Sequence, residues 1–168
     1  CIDRRYDLLE VLGAGAMGVV YRARQRSLRR DVAVKLIKLQ DINVDKRDLR
    51  QVERLEREVA IISGFRHPNI CELIDHGRIK DSGIFYRVME FIDGPTLKKV
   101  ARGKRMQLAF VLEVIDQLCA ALSEPHAHDV LHRDIKPDNI MLRVHMDQRL
   151  EVKLVDFGLV RPNSAKGS

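Results

Sequence analysis

The strictest limit on this chain is one short polar loop, His132-Arg133-Asp134-Ile135-Lys136-Pro137-Asp138-Asn139, bounded on both sides by apolar runs. Asp134 can accept a proton, Lys136 stands two residues on and Asn139 five residues on. A second carboxylate, in Asp156-Phe157-Gly158, arrives 17 residues after Asn139 at the end of the next apolar segment. Together these groups are the inventory for holding a divalent metal and a phosphate beside a hydroxyl nucleophile. A chain that uses them so must also supply a nucleotide site.

The bulk properties leave room for one. The 168 residues allow one domain with a proper core or two small lobes. With 45% hydrophobic and 32% charged residues the chain reads as globular, neither disordered nor fibrous. No apolar run is long enough to cross a bilayer and no signal pattern opens the chain. The first residue is Cys1, so the expectation is a piece of something longer, whose membrane anchor could lie elsewhere. Cys1, Cys71 and Cys119 are widely spaced. Cys71 and Cys119 read as small core residues, which suggests a reducing, cytoplasmic setting. The net charge of +6 includes Arg22, Arg24, Arg26, Arg29 and Arg30 in one stretch. No aromatic residues are interleaved for base stacking, so the expectation is a charged hairpin edge and no nucleic-acid partner.

From the N-terminus, an apolar strand over 6–12 leads into Gly13-Ala14-Gly15-Ala16-Met17-Gly18 and then Val19-Val20-Tyr21-Arg22-Ala23-Arg24. A dinucleotide-binding glycine loop must open a helix, whereas this one opens a β-branched run, so strand–turn–strand is expected. Glycines there let backbone N–H groups aim at phosphate oxygens. The run over 32–37 should place Val32, Val34 and Leu36 on a greasy face, with Ala33 and Lys35 on the other. Residues 46–63 have helical spacing, and periodicity leaves open whether Glu56 or Glu58 turns inward. His67-Pro68-Asn69 is a turn, followed by strands near 70–74 and 85–91 around Asp81-Ser82-Gly83. Asp93-Gly94-Pro95 reads as a hinge, where composition shifts from strand-rich to helix-rich. A short helix over 96–101 precedes one over 108–124 that is apolar nearly all round, the mark of a buried helix. Pro125 removes a donor near its end. His126, His128 and His132 lack the companions of a usual metal-ligand set. Two short strands, 140–144 and 152–155, surround a polar turn.

The order of glycine loop, Val-Ala-Val-Lys strand, helix, hinge, HRDIKPDN loop and Asp-Phe-Gly closely resembles the eukaryotic-type (Hanks-type) protein kinases. Met17 at the tip of the glycine loop makes it most like the bacterial serine/threonine members. The resemblance implies an α+β, bilobal fold. Residues 1–92 would form an antiparallel β-sheet N-lobe with one major helix, and 93–168 an incomplete, mainly helical C-lobe. It implies ATP and Mg²⁺ as cofactors and a protein substrate with a Ser or Thr acceptor.

Gly13, Ala14, Gly15, Ala16, Met17 and Gly18 would cover the phosphates, with Leu12, Val20, Ala33 and Met141 packing about the adenine. Lys35 would hold the α- and β-phosphates, partnered by Glu58, which the resemblance chooses over Glu56. Met89 would stand at the gatekeeper position, and Glu90 and Ile92 would offer backbone groups to adenine. Asp134 would orient the substrate hydroxyl and take its proton, Lys136 would neutralise the transferring phosphoryl group, and Asn139 and Asp156 would bind the metal. Lys136 marks the serine/threonine pattern, and Arg133 accompanies control by phosphorylation of the activation loop. Small-molecule kinases share the lobes but lack the counterparts of Arg133 and Lys136.

No Ala-Pro-Glu motif follows within the 168 residues. The expectation is therefore an N-terminal portion of a kinase domain, weak or inactive alone, with bare apolar surface on one side of helix 108–124 and under the loop. The alternative is a fragment that binds nucleotide without transferring phosphate. Asp129 departs from the family's frequent Gly.

Overall fold

Alternation of apolar and polar side chains builds the first body of the chain. The computed structural model describes residues 1–15, 18–38, 63–79, 82 and 84–156. Five strands, β1 (Tyr6–Gly15), β2 (Gly18–Gln25), β3 (Arg30–Lys38), β4 (Leu73–Ile79) and β5 (Ile84–Glu90), form one antiparallel sheet in the order β1-β2-β3-β5-β4. Val32 and Val34 of β3 are fully buried with Ala23, Tyr86, Val88, Tyr6 and Ile2 in one cluster. Each such valine stabilises by about 1.5–3 kcal/mol relative to exposure. The phenol of Tyr6 donates to Asp75 at 2.6 Å and that of Tyr86 to Asp3 at 2.5 Å. Burial and these hydrogen bonds push both phenols up to about 12.

Three arginines of the β2–β3 hairpin are answered by carboxylates. Arg22 pairs with Asp31 and Glu10, Arg24 with Asp31, and Arg26 with Asp7. The expected helix over 46–63 lies almost wholly outside the described residues, as do Asp81 and Gly83 of the expected turn.

The chain divides into two units, Cys1–Ala60 with Glu72–Phe91, and Ile61–Cys71 with Ile92–Ser168. A single cut after residue 92 therefore leaves out one excursion. The expected strand at 70–74 begins only at Leu73, because Ile70 bridges Leu154 instead. Leu154 N–H donates to the Asn69 carbonyl at 2.8 Å and Cys71 N–H to the Leu154 carbonyl at 2.9 Å. Backbone pairing thus commits residues 69–71 to the second unit.

In that unit, β6 (Ile140–Val144) and β7 (Leu150–Leu154) form an antiparallel ribbon. One ribbon face, Ile140, Leu142, Val152 and Leu154, is buried with Ile70, Val114, Ala121 and Val130. Gly94 lies against the ribbon backbone so closely that a Cβ would stand 1.9 Å from the Leu142 carbonyl oxygen. Helix α1 (Leu97–Ala101) starts at Thr96, whose hydroxyl accepts from Lys99 N–H at 3.3 Å.

Helix α2 (Leu108–Ala127) corrects the expectation of burial all round. Val114, Ala121 and Pro125 are buried, with Phe110, Leu118 and Leu122 packed beside the same core. About 130° further round, Leu108 is 73% exposed, Leu112 56% and Ile115 50%, and Cys119 is exposed with them. One stripe meets the ribbon and the other is exposed among the described residues. Cys119 is therefore not a core residue, whereas Cys71 is buried. Ile135, within the polar loop, is exposed as well.

The helix also runs past its expected end at 124. Pro125 sits in the last turn, and its carbonyl accepts from Val130 N–H at 2.9 Å while Asp129 N–H donates to His126 at 3.1 Å. That pair of bonds is a Schellman cap, which requires a left-handed residue after the C-cap. Asp129 supplies it with φ 58°. The position explains why glycine suits it. Asp129→Gly should raise the free energy of unfolding by about 0.5–1 kcal/mol and Asp129→Val should lower it, read from urea melts. A glycine variant no more stable than the parent would contradict the cap.

Candidate active site

The sheet of the first unit brings one group of expected site residues together. Directly opposed residues of antiparallel strands share a face. Val20 lies opposite Lys35 and Ala33 opposite Met89, so these four line the face turned away from Val32 and Val34. Lys35 is buried there, with Arg87 across from it on β5. The small Ala33 sits between Arg22 on β2 and Met89 on β5.

In the glycine loop, Gly13 pairs with Val20, Ala14 with Val19 and Gly15 with Gly18. The register slips between Val11 and Gly13, leaving Leu12 at the irregularity and exposed. Gly18 is dictated by the fold, since its φ is +132° and a Cβ would lie 1.9 Å from the Leu36 carbonyl oxygen. At Gly13 and Gly15 a Cβ would meet no described atom within 4 Å. The hairpin itself does not need those two glycines. Ala16, Met17 and Glu58 lie outside the described residues. At the end of β5, Glu90 N–H donates to the Glu72 carbonyl at 3.0 Å, and Glu90 Oε1 accepts from Glu72 N–H at 2.9 Å.

The second unit holds the polar loop. Asn139 closes a single 3₁₀ turn, Pro137–Asn139, and is buried. Its Nδ2 donates to both the Asp134 carbonyl and Asp134 Oδ2, each at 2.8 Å. Spending both amide hydrogens this way turns Oδ1 outward, and Oδ1 accepts no hydrogen bond among the described residues. Lys136 Nζ lies 2.9 Å and 2.7 Å from the two oxygens of Asp134. That hydrogen-bonded ammonium, helped by Asn139, holds the Asp134 carboxyl below the usual carboxylate range and raises Lys136 in turn.

His132, only 1% exposed, ties the loop to Val155, the residue that follows β7. Its Nε2 lies 3.3 Å from the Val155 carbonyl oxygen, and its Nδ1 accepts from Asp134 N–H at 3.3 Å. Burial pushes the imidazole below its ordinary value. Its stabilising, neutral form is therefore fully present above about pH 6.5 and is lost as pH falls toward the depressed value. The other backbone group of Val155, its N–H, donates to the Asn139 carbonyl at 2.9 Å. Held on both sides, Val155 fixes where Asp156 begins, and Asp156 turns with φ 53°. Arg133 has φ 60°, a left-handed conformation that costs about 1–2 kcal/mol. Ile92 is buried in this unit, and Met141 lies on the ribbon face away from the core, opposite Lys153.

Sequence reasoning missed two supports of this loop. Asn69 Nδ2 donates to Gln117 Oε1 at 2.7 Å and to the Val152 carbonyl at 2.8 Å, while Gln117 Oε1 accepts from Val152 N–H at 2.9 Å. These side chains satisfy β7 along the edge that no strand covers. A glutamine beside the apolar stripe of a helix was the available signal. The second is the pair of Lys98 Nζ and Asp138 Oδ1 at 2.8 Å, which joins α1 to the 3₁₀ turn. Among the described residues no cluster of three or more His, Cys, Asp or Glu is set for a metal. A Mg²⁺ that arrives on phosphates needs only one or two protein oxygens, and Asn139 Oδ1 and the Asp156 carboxylate are oxygens of that kind.

With this geometry in view, the chain belongs to the protein kinase family: the protein kinase domain model matches residues 6–168. It is similar to the serine/threonine-protein kinase PrkC of Bacillus subtilis, 35% identical over 159 residues, covering 94% of this chain and 23% of that protein. It is likewise similar to serine/threonine-protein kinase pkn3 of Myxococcus xanthus, at 34% over 161 residues, covering 95% and 28%. Against serine/threonine-protein kinase PknB of Mycobacterium tuberculosis the figures are 36% over 170 residues, 99% and 26%. The chain thus spans about a quarter of the length of these relatives. No described helix is long and apolar enough to cross a membrane.

The Asp134–Lys136 pair makes a pH prediction. A depressed carboxyl contributes stability that is complete above about pH 4 and is lost as pH falls through the lowered value, and solvent keeps the size small. Lys136→Met should return the Asp134 carboxyl upward toward the ordinary 3.9 or so in a ¹³C NMR titration. An unmoved titration would show that Lys136 does not hold it down.

Proposed function

We propose that this chain supplies the nucleotide-binding and phosphoryl-transfer machinery of a serine/threonine protein kinase, which moves the γ-phosphate of Mg·ATP to a Ser or Thr hydroxyl of a protein. The observation that carries the reading is the double grip on Asp134, by Lys136 through its carboxylate and by Asn139 through carboxylate and backbone. A base held this way is ionised throughout the neutral range and aimed in one direction. It orients the acceptor hydroxyl and takes its proton late, as a loose phosphoryl-transfer transition state requires.

Lys136, beside that carboxylate, is placed to neutralise charge on the phosphoryl group in flight. Mg²⁺, when bound, would supply positive charge against the phosphates. Asn139 Oδ1 and the Asp156 carboxylate are the oxygens this chain offers to it. On the sheet, Val20, Ala33 and Met89 give an apolar patch with room over Ala33, and Lys35 gives the cation for the α- and β-phosphates. Leu12, Met141 and the backbone of Ile92 would complete the adenine site. Glu90 spends its N–H on Glu72, so its contribution to the ring is a carbonyl. Gly13 and Gly15, bare where the hairpin does not need bareness, are the positions at which phosphates could approach the backbone, with Ala14, Ala16, Met17 and Gly18 completing that loop. Glu58 would partner Lys35.

The test is transfer of labelled γ-phosphate to a basic protein by the full-length chain. Asp134→Asn should slow it by about 10²–10⁴-fold, with ATP affinity within a few-fold of the parent. Undiminished transfer by that variant would overturn the assignment.

A further inference from the structure

Two groups of cations in this chain are treated differently by the fold. Arg22, Arg24 and Arg26 each pair with a carboxylate of the same sheet, while Arg30 bonds Gln25 and Arg29 at the hairpin turn has no carboxylate partner among the described residues. Residues 97–107 hold five cations and no acidic residue. Among the described residues Lys98 alone of the five has a carboxylate partner, Asp138. Lys99, Arg102, Lys104 and Arg105 are exposed, and none has a carboxylate partner among the described residues.

The helix does not account for them. α1 is five residues long, so the field at its C-terminus is weak and reaches only the last turn. Gly103, with φ 67°, turns the chain out of the helix, which leaves Lys104 and Arg105 beyond it. Leu97 and Val100 pack against the core of the second unit, so α1 is anchored by its apolar side and shows its cations to solvent. Like charges so placed repel one another, and no carboxylate among the described residues offsets these four.

Its position relates it to the reaction. Asp138, which Lys98 holds at 2.8 Å, is four residues from Asp134 along the same loop. That separation spans at most about 14 Å, the length of about four residues of extended peptide. The one carboxylate at this end of the loop is neutralised by Lys98, so an anionic chain leaving the acceptor site meets cations from there onward.

We propose that α1 and the turn after it form a docking surface for an acidic segment of the protein substrate, lying roughly four to eight residues from the phosphorylated Ser or Thr. This rests on the kinase reading above and names the substrate chemistry it selects. The row lacks the aromatic side chains on which bases stack. The apolar side chains of α1 are committed to the core, not available to enter a bilayer.

The test uses the full-length chain and two synthetic peptides with identical residues around one Ser. One carries four Asp or Glu residues at positions four to eight from it, and the other carries Gln there. The acidic peptide should have a kcat/KM about tenfold higher, through KM, and the preference should shrink as salt is raised to about 0.5 M. The quadruple variant Lys99→Ser, Arg102→Ser, Lys104→Ser, Arg105→Ser should lose the preference while phosphorylating the Gln peptide at the parent rate. Binding is read separately by fluorescence polarisation, with Ala replacing the acceptor Ser. If neither peptide is phosphorylated the kinase reading fails, and the polarisation comparison still decides the docking surface. Equal binding of the two peptides, or a preference kept by the quadruple variant, overturns the proposal. So does equally tight binding to phosphatidylserine vesicles or a single-stranded oligonucleotide, which would mark a general polyanion surface.

Discussion

Asn139 joins three parts of the site at once, and the rest of the arrangement follows from it. Its side-chain amide fixes Asp134, its carbonyl fixes Val155, and the orientation this forces leaves Oδ1 as an outward oxygen. No other side chain has the right inventory at this length. Aspartate would bring a second negative charge against Asp134, and glutamine would displace the donor by a methylene. The left-handed backbone at Arg133 and Asp156, on either side of this junction, is strain that a packed surround must hold in place. His132 and the Asn69–Gln117 cluster are that surround. They are buried or half-buried polar groups whose hydrogen bonds are spent on loop and strand backbone.

Two kinds of information differ in how legible they were from residues alone. Period-two patterning made β3 readable to the level of faces, because the apolar Val32 and Val34 alternate with Ala33 and Lys35 and are fully buried. The loop was readable because its chemistry is concentrated within eight residues. What could not be read depended on partners distant in sequence. Ile70 looks like the start of a strand, yet pairs with Leu154, 84 residues on. Helix α2 looks apolar on every side, but only the stripe through Val114 and Ala121 meets the ribbon. Asp129 looked like a departure from the family's habit until its φ of 58° showed that the position asks for left-handed backbone. That conformation aspartate tolerates better than most residues.

Charge follows the same division between local and distant causes. The hairpin arginines form the densest basic stretch in the first half of the sequence, and the fold pairs three of the five, Arg22, Arg24 and Arg26, with Asp7, Glu10 and Asp31. The shorter row around α1 attracts less notice as sequence and remains open to solvent. Counting cations therefore points to the hairpin. Asking which of them the fold neutralises points to the surface beside the polar loop.

The account makes Asn139 serve Asp134 and the metal together, and that joint role is open to direct measurement. The rate of γ-phosphate transfer by the full-length chain is followed against Mg²⁺ concentration for the parent and for Asn139→Ala. Both effects should appear in the one variant: a kcat lowered by about 10²-fold or more, and a half-saturating Mg²⁺ concentration raised several-fold. A variant with normal Mg²⁺ dependence, or with normal kcat once Mg²⁺ is saturating, would contradict it.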